Sequence, residues 1–165
     1  MDNNTNEQEM EIFDTIYSAS ELQLFYKEID KIISSLFIGG SSIEDKMAAV
    51  ISPEKKERVM SFLKATDANL SNPVEIQEAL LKLKKMGETL PVVYLELAFE
   101  PTEQILKNIS LWFLRRMNKK VILDTTLERQ DIGGAYITFG GLYKDYTLKT
   151  KIDKYFEKGA QPAQA

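Results

Sequence analysis

The 165-residue chain contains no cysteine and no histidine. The first absence removes disulfides and thiolate metal sites. The second removes the commonest general base and the commonest metal ligand. No apolar run approaches the roughly 20 residues that a membrane-spanning helix needs. The opening MDNNTNEQEME is polar and acidic and lacks the apolar core of a secretory signal. The expectation is a soluble protein that meets a membrane only through partners. A net charge of −4 weighs against a protein that reads nucleic-acid backbones. The charge is unevenly spread. Residues 1–90 hold 10 Lys or Arg against 16 Asp or Glu, and residues 91–165 hold 11 against 9.

Hydrophobic periodicity divides the chain. From Met10 to about residue 90 it is helical. Leu22, Phe25, Ile29, Ile32 and Leu36 step by three and four along one face, and Gly39-Gly40 ends that helix. Ser42 caps a short helix. Ser52-Pro53-Glu54 and Asn72-Pro73-Val74-Glu75 each combine a capping side chain, a proline at the first helical position and an early carboxylate. Ile76, Ala79, Leu80 and Leu83 form the stripe of the fourth helix, and Gly87 is expected to end it. Beyond Leu90-Pro91 the period changes. Val93, Leu95, Leu97 and Phe99 alternate, as do Val121, Leu123, Thr125 and Leu127. Pro101-Thr102-Glu103 opens a helix between them.

The predicted class is α+β: a helical bundle over residues 10–90, then a small mixed-sheet domain over 91–158 in the order strand, helix, strand, strand, strand, helix. Residues 1–9 and 159–165 are expected to be disordered.

Few residues suggest chemistry. Gly133-Gly134 precedes a strand instead of opening a helix and lacks a following Lys-Ser or Lys-Thr, so it reads as a bulge or close backbone approach, not a phosphate loop. Glu96, Glu100, Asp124 and Glu128 could gather carboxylates, yet Glu96 lies opposite the apolar face of its strand and points to water. Lys82, Lys84 and Lys85, and likewise Arg115, Arg116, Lys119 and Lys120, sit at helix C-terminal ends that favour cations; a partner-docking role is the alternative. Trp112 and Phe113 are expected in the core. The residues thus indicate no catalytic, cofactor or metal site. The stripe Phe25, Ile29, Ile32, Leu36, with Ile33, Phe37 and Ile38 beside it, is more apolar than one helix of a small bundle needs, and a partly open groove for a partner helix is the expectation there.

From Val121 to Phe156 the order is strand, Ile132-Gly133-Gly134, strand, a Gly140-Gly141 turn, strand, Asp145-Tyr146-Thr147, and an amphipathic helix with Leu148, Ile152, Tyr155 and Phe156 at helical spacing. With the Glu100-Pro101-Thr102-Glu103 helix entry, this resembles the C-terminal region of the delta subunit of F-type ATP synthase, the oligomycin-sensitivity-conferring protein family. The likeness covers about residues 92–156. Gln130-Asp131 stands where the family usually carries a Pro-Ser-like pair, and the family's Tyr-Ala-x-Ala-Leu opening is not found. About four helices are predicted where the family has six, as a divergent or shortened bacterial variant would show.

The resemblance implies a non-catalytic stator subunit without cofactors. Such a subunit lies peripherally at the cytoplasmic face of the inner membrane. It grips an alpha subunit of the catalytic head through its helical half, here Phe25, Ile29, Ile32 and Leu36. It meets the b subunit of the peripheral stalk through its C-terminal region, here Leu148, Ile152, Tyr155 and Phe156. Ile132, Gly133, Gly134, Asp145 and Thr147 form the structural motif. The alternatives are a stator-like subunit of a V- or A-type ATPase and an unrelated α+β interaction adaptor.

Overall fold

The computed structural model describes residues 11–129 and 132–159, with side chains described up to Glu157 in the last helix. Of the ends expected to be disordered, 1–9 and 159–165, residues 1–9 and 160–165 lie outside the described residues, as does Gln130-Asp131, while Gly159 is the last residue of the closing helix. Two compact units meet in sequence after Leu90: Met1–Leu90 and Pro91–Ala165.

The first unit opens with a 3-10 turn, Glu11–Thr15, followed by α1 (Ala19–Leu36), α2 (Ile43–Ala48), α3 (Pro53–Ala65) and α4 (Pro73–Glu88). Each helix starts where a side chain satisfies free backbone donors. Ser18 accepts from Glu21 N at 3.2 Å, and Glu21 reaches back to Ser18 N at 3.1 Å and Tyr17 N at 2.7 Å. Ser42 and Asp45 form a second reciprocal box. Ser52 and Asn72 cap α3 and α4, each with proline in the first turn.

The α1 stripe supplies the core. Phe25, Ile29 and Ile32 are fully buried, as are Phe13, Met47, Val59, Leu63, Leu80 and Leu83, and the Phe13 and Phe25 rings meet edge-on at 6.5 Å. Two ion pairs hold α1 to its neighbours: Lys55 Nζ to Glu28 at 2.8 Å and Lys84 Nζ to Asp30 at 2.6 Å. Lys84 also lies over the Tyr26 ring and Lys82 over Phe62, so part of the Lys82-Lys84-Lys85 cluster packs against this unit.

Gly87 corrects the sequence reading. It does not end α4, which runs on to Glu88. It is buried because the Phe13 ring and the Tyr26 hydroxyl press on it. A Cβ there would lie 2.9 Å from Phe13 Cε1 and closer still to the Tyr26 oxygen.

In the second unit β1 (Val92–Leu97), α5 (Glu103–Met117), β2 (Ile122–Leu127), β3 (Ala135–Phe139), β4 (Leu142–Asp145) and α6 (Leu148–Gly159) follow in order. The architecture is the expected mixed α+β. The sheet order is β2-β1-β3-β4, with β1 parallel to β2 and the other pairs antiparallel. The α5 crossover is what a parallel neighbour requires. Val93, Leu95 and Leu97 alternate inward and are buried, and from α5 Leu106, Ser110 and Phe113 are buried. Thr102 caps α5, and Asn118 ends it in the left-handed region at φ 51°. Trp112 corrects the core expectation. It is 53% exposed, its ring meeting Phe113 edge-on at 4.9 Å. Only the narrow stripe of α5 facing the sheet is covered, and Trp112 lies beside it.

Candidate docking surfaces

Four of the five motif residues, Gly133, Gly134, Asp145 and Thr147, assemble into one junction. Gly134 has φ 103°, a region only glycine enters freely. A Cβ on it would stand 2.5 Å from Thr147 Cα and 2.6 Å from Tyr146 O. The start of β3 and the approach to α6 are therefore pressed backbone against backbone. Two hydrogen bonds close the contact, Tyr146 N to Ala135 O at 2.9 Å and Leu148 N to Gly133 O at 2.8 Å, and Ala98 N to Gly134 O at 3.3 Å ties Gly134 to the end of β1. Thr147 is buried, and its hydroxyl accepts from Thr150 N at 3.3 Å, capping α6. Asp145 accepts from Thr147 N at 2.7 Å and from the Thr150 hydroxyl. Those two bonds, the Thr150 hydroxyl first, hold its carboxyl below the usual carboxylate range. Ile132, the remaining motif residue, is 81% exposed and takes no part in the closure.

α6 follows directly from this junction. Leu148, Ile152, Tyr155 and Phe156 are exposed by 46, 40, 76 and 69%. Four apolar side chains on one helical face are left uncovered within the described chain. On the sheet face that carries α5 lies an apolar groove of about 400 Å³. Leu95 and Leu97 of β1, Ala135 and Ile137 of β3, and Ile109 and Trp112 of α5 line it, and Tyr146 closes one end. α5 packs toward β2 at one edge of the four-stranded sheet, and the groove lies beside it over β1 and β3. Sequence periodicity places Trp112 and Ile109 on the helix but does not reveal which of them the sheet leaves bare.

The helical candidates are placed differently. Phe25, Ile29 and Ile32 have no exposed surface, and Leu36 has 6%. The expected open groove is absent at these four residues, which lie fully or almost fully buried on α1, the helix against which α2 and α4 pack. The two apolar residues that follow are outside: Phe37 is 61% and Ile38 66% exposed. A cleft of about 440 Å³ lies at this end of the bundle, lined by Leu36, Ser42, Ile43, Leu70, Pro73 and Ile76 among others. Lys46 Nζ fixes the chain there by donating to Leu36 O at 3.1 Å and Ile38 O at 2.8 Å.

Among the described residues, no three acidic side chains converge as a metal site would need. No helix among them is long and apolar enough to cross a membrane. The surfaces suit contact with other proteins. Comparison with known proteins agrees. The ATP synthase delta (OSCP) subunit family matches residues 5–158. ATP synthase subunit delta of Clostridioides difficile (strain 630) is 24% identical over 135 residues, which is 80% of this chain and 74% of the relative. Since the family match spans nearly the whole chain, the protein belongs to the ATP synthase delta (OSCP) subunit family.

Proposed function

We propose that the chain is the non-catalytic peripheral-stalk subunit that ties the catalytic head of an F-type ATP synthase to its membrane-anchored stalk. Family membership supports the stalk role. The observation that carries the division of labour is the uncovered apolar face of α6, which follows the Gly134–Thr147 junction. Rotor torque drives chemistry only if the head cannot turn with the rotor. A protein doing this needs stiff elements and two separate interfaces, and no active site.

The stalk-docking surface in this reading is Leu148, Ile152, Tyr155 and Phe156 of α6, with the α5 groove to receive apolar side chains of a helix from the b subunit. The surface for the alpha subunit is the open end of the bundle at Phe37, Ile38 and the adjoining cleft. It replaces the buried Phe25, Ile29, Ile32 and Leu36 as the place of contact, since those four hold the bundle together. The protein then sits peripherally at the membrane, through its partners.

The test is coupling. Membranes stripped of this protein are expected to hydrolyse ATP without pumping ions, and added chain restores pumping. Added chain carrying both Ile152→Asp and Tyr155→Asp leaves pumping lost. Restoration by that variant rejects α6 as the stalk contact, and failure of the unaltered chain rejects the stator reading.

A further inference from the structure

The sheet face opposite the α5 groove carries its own pattern, fixed by strand register. Pairing places Asp124, Tyr94, Thr138 and Tyr143 in one row across β2, β1, β3 and β4. Thr126, Glu96, Tyr136 and Asp145 form the next row. Each row spans about 14 Å at ordinary strand spacing. These eight positions hold three tyrosines, three carboxylates and two threonines, and none is basic. Tyr94 is 55% and Tyr143 60% exposed, and Glu96 is exposed. Tyr136 and Tyr143 stack with centroids 5.6 Å apart and planes 20° apart, which sets a flat aromatic step beside Thr138. Asp145 is engaged by Thr147 and Thr150, so Glu96 and Asp124 are the carboxylates that remain for a partner.

We propose that this open sheet face binds a basic protein segment, with arginine or lysine side chains laid over Tyr94 and Tyr143 and paired with Glu96 and Asp124. The aromatic rings offer their negative faces to a cation, and carboxylates beside them supply the counter-charge. A planar guanidinium fits both at once, so arginine is preferred over lysine. Exposed tyrosines on a sheet also suit nucleic-acid bases, but the carboxylates among them repel phosphate. This contact is distinct from the α5 groove: it lies on the other face of the sheet from Leu95, Leu97, Ala135 and Ile137.

The probe is a fluorescent octa-arginine peptide titrated with the full chain at about 0.15 M salt, where contacts beyond roughly 8 Å are screened. The unaltered chain is expected to bind it. Glu96→Lys with Asp124→Lys weakens binding about tenfold or more, and Tyr94→Ala with Tyr143→Ala weakens it several-fold. Glu44→Lys with Asp67→Lys, an equal charge change on helical-unit residues outside the sheet, leaves affinity within about twofold. The milder Glu96→Gln with Asp124→Asn keeps the test valid should the lysine pair disturb folding, and a several-fold loss is expected from it. The proposal is overturned if octa-arginine does not bind or if the helical-unit pair weakens binding as much as the sheet pair. It is also overturned if the glutamine–asparagine pair binds undiminished, or if oligothymidylate binds as tightly as the peptide.

Discussion

Replacing Gly134 by alanine is expected to destabilise the C-terminal unit far more than replacing any other glycine of that unit. Its φ of 103° already costs a side-chain-bearing residue about 1–3 kcal/mol. The added Cβ then meets Thr147 Cα at 2.5 Å, Tyr146 O at 2.6 Å and Leu148 N at 3.1 Å. All three are backbone atoms, so no side chain can swing aside. The approach to α6 must move, which weakens Leu148 N to Gly133 O and Tyr146 N to Ala135 O. At about 1 kcal/mol for each bond, the whole effect comes to about 3–5 kcal/mol. Gly140 is the control. Its φ is 56°, but a Cβ there meets nothing within 4 Å, so Gly140→Ala costs about 1–2 kcal/mol. Urea unfolding followed by the fluorescence of Trp112, the chain's single tryptophan, reports on the unit that holds both glycines. A Gly134→Ala midpoint equal to that of Gly140→Ala refutes the close-approach argument.

Three further outcomes follow from burial and titration. Ile32→Asp puts an unpaired carboxylate at a fully buried site and is expected to cost about 4 kcal/mol or more, close to the whole stability of a small unit; circular dichroism at 222 nm checks it, and a helical, cooperatively melting variant contradicts the core assignment. Tyr26 has its phenol pushed up to about 12, first by burial and then by Glu88, and its hydroxyl finds no hydrogen-bond partner among the described residues. The neutral phenol is favoured in the folded state, so stability holds below pH 10 and falls between about pH 10 and 12; Tyr26→Phe should remove that alkaline loss while leaving neutral-pH stability within about 1 kcal/mol, and an unchanged alkaline profile in denaturant midpoints counts against it. Asp145 is held low, so its contribution is present above the ordinary carboxylate value and lost as pH falls through the depressed one; Asp145→Asn should flatten the acid limb of the C-terminal unit's stability, and an identical limb by Trp112 fluorescence would sink the assigned role.

The order of elements is legible in the sequence because each carries a local signal. Prolines 53 and 73 sit at helix starts, and period two governs β1. Ser18 and Glu21 carry a readable cap, Ser-x-x-Glu, that pins the start of α1. The motif glycines are legible as structural, since no helix follows them. Their partner is not: that Gly134 touches Thr147 depends on β3 and β4 folding back on each other, which no local spacing encodes. The same limit explains the helical stripe. Periodicity identifies the apolar face of α1, but whether Phe25 and Ile29 face neighbours or solvent depends on how many helices close around it. Trp112 and Gly87 depart from the sequence expectation for related reasons. One lies beside the narrow stripe that faces the sheet, and the other is small because two rings lean on it.

The central claim is that one chain holds head and stalk at the same time through different units. The direct measurement is light scattering of the full chain mixed with two soluble peptide sets, one spanning the alpha chain of the head and one spanning the soluble part of the b chain of the stalk. The account predicts a one-to-one-to-one complex. It also predicts that Ile152→Asp with Tyr155→Asp removes only the stalk peptide, and that Phe37→Asp with Ile38→Asp removes only the head peptide, since all four residues are exposed. Mutually exclusive binding of the two peptides, or loss of both from either pair of changes, would contradict it.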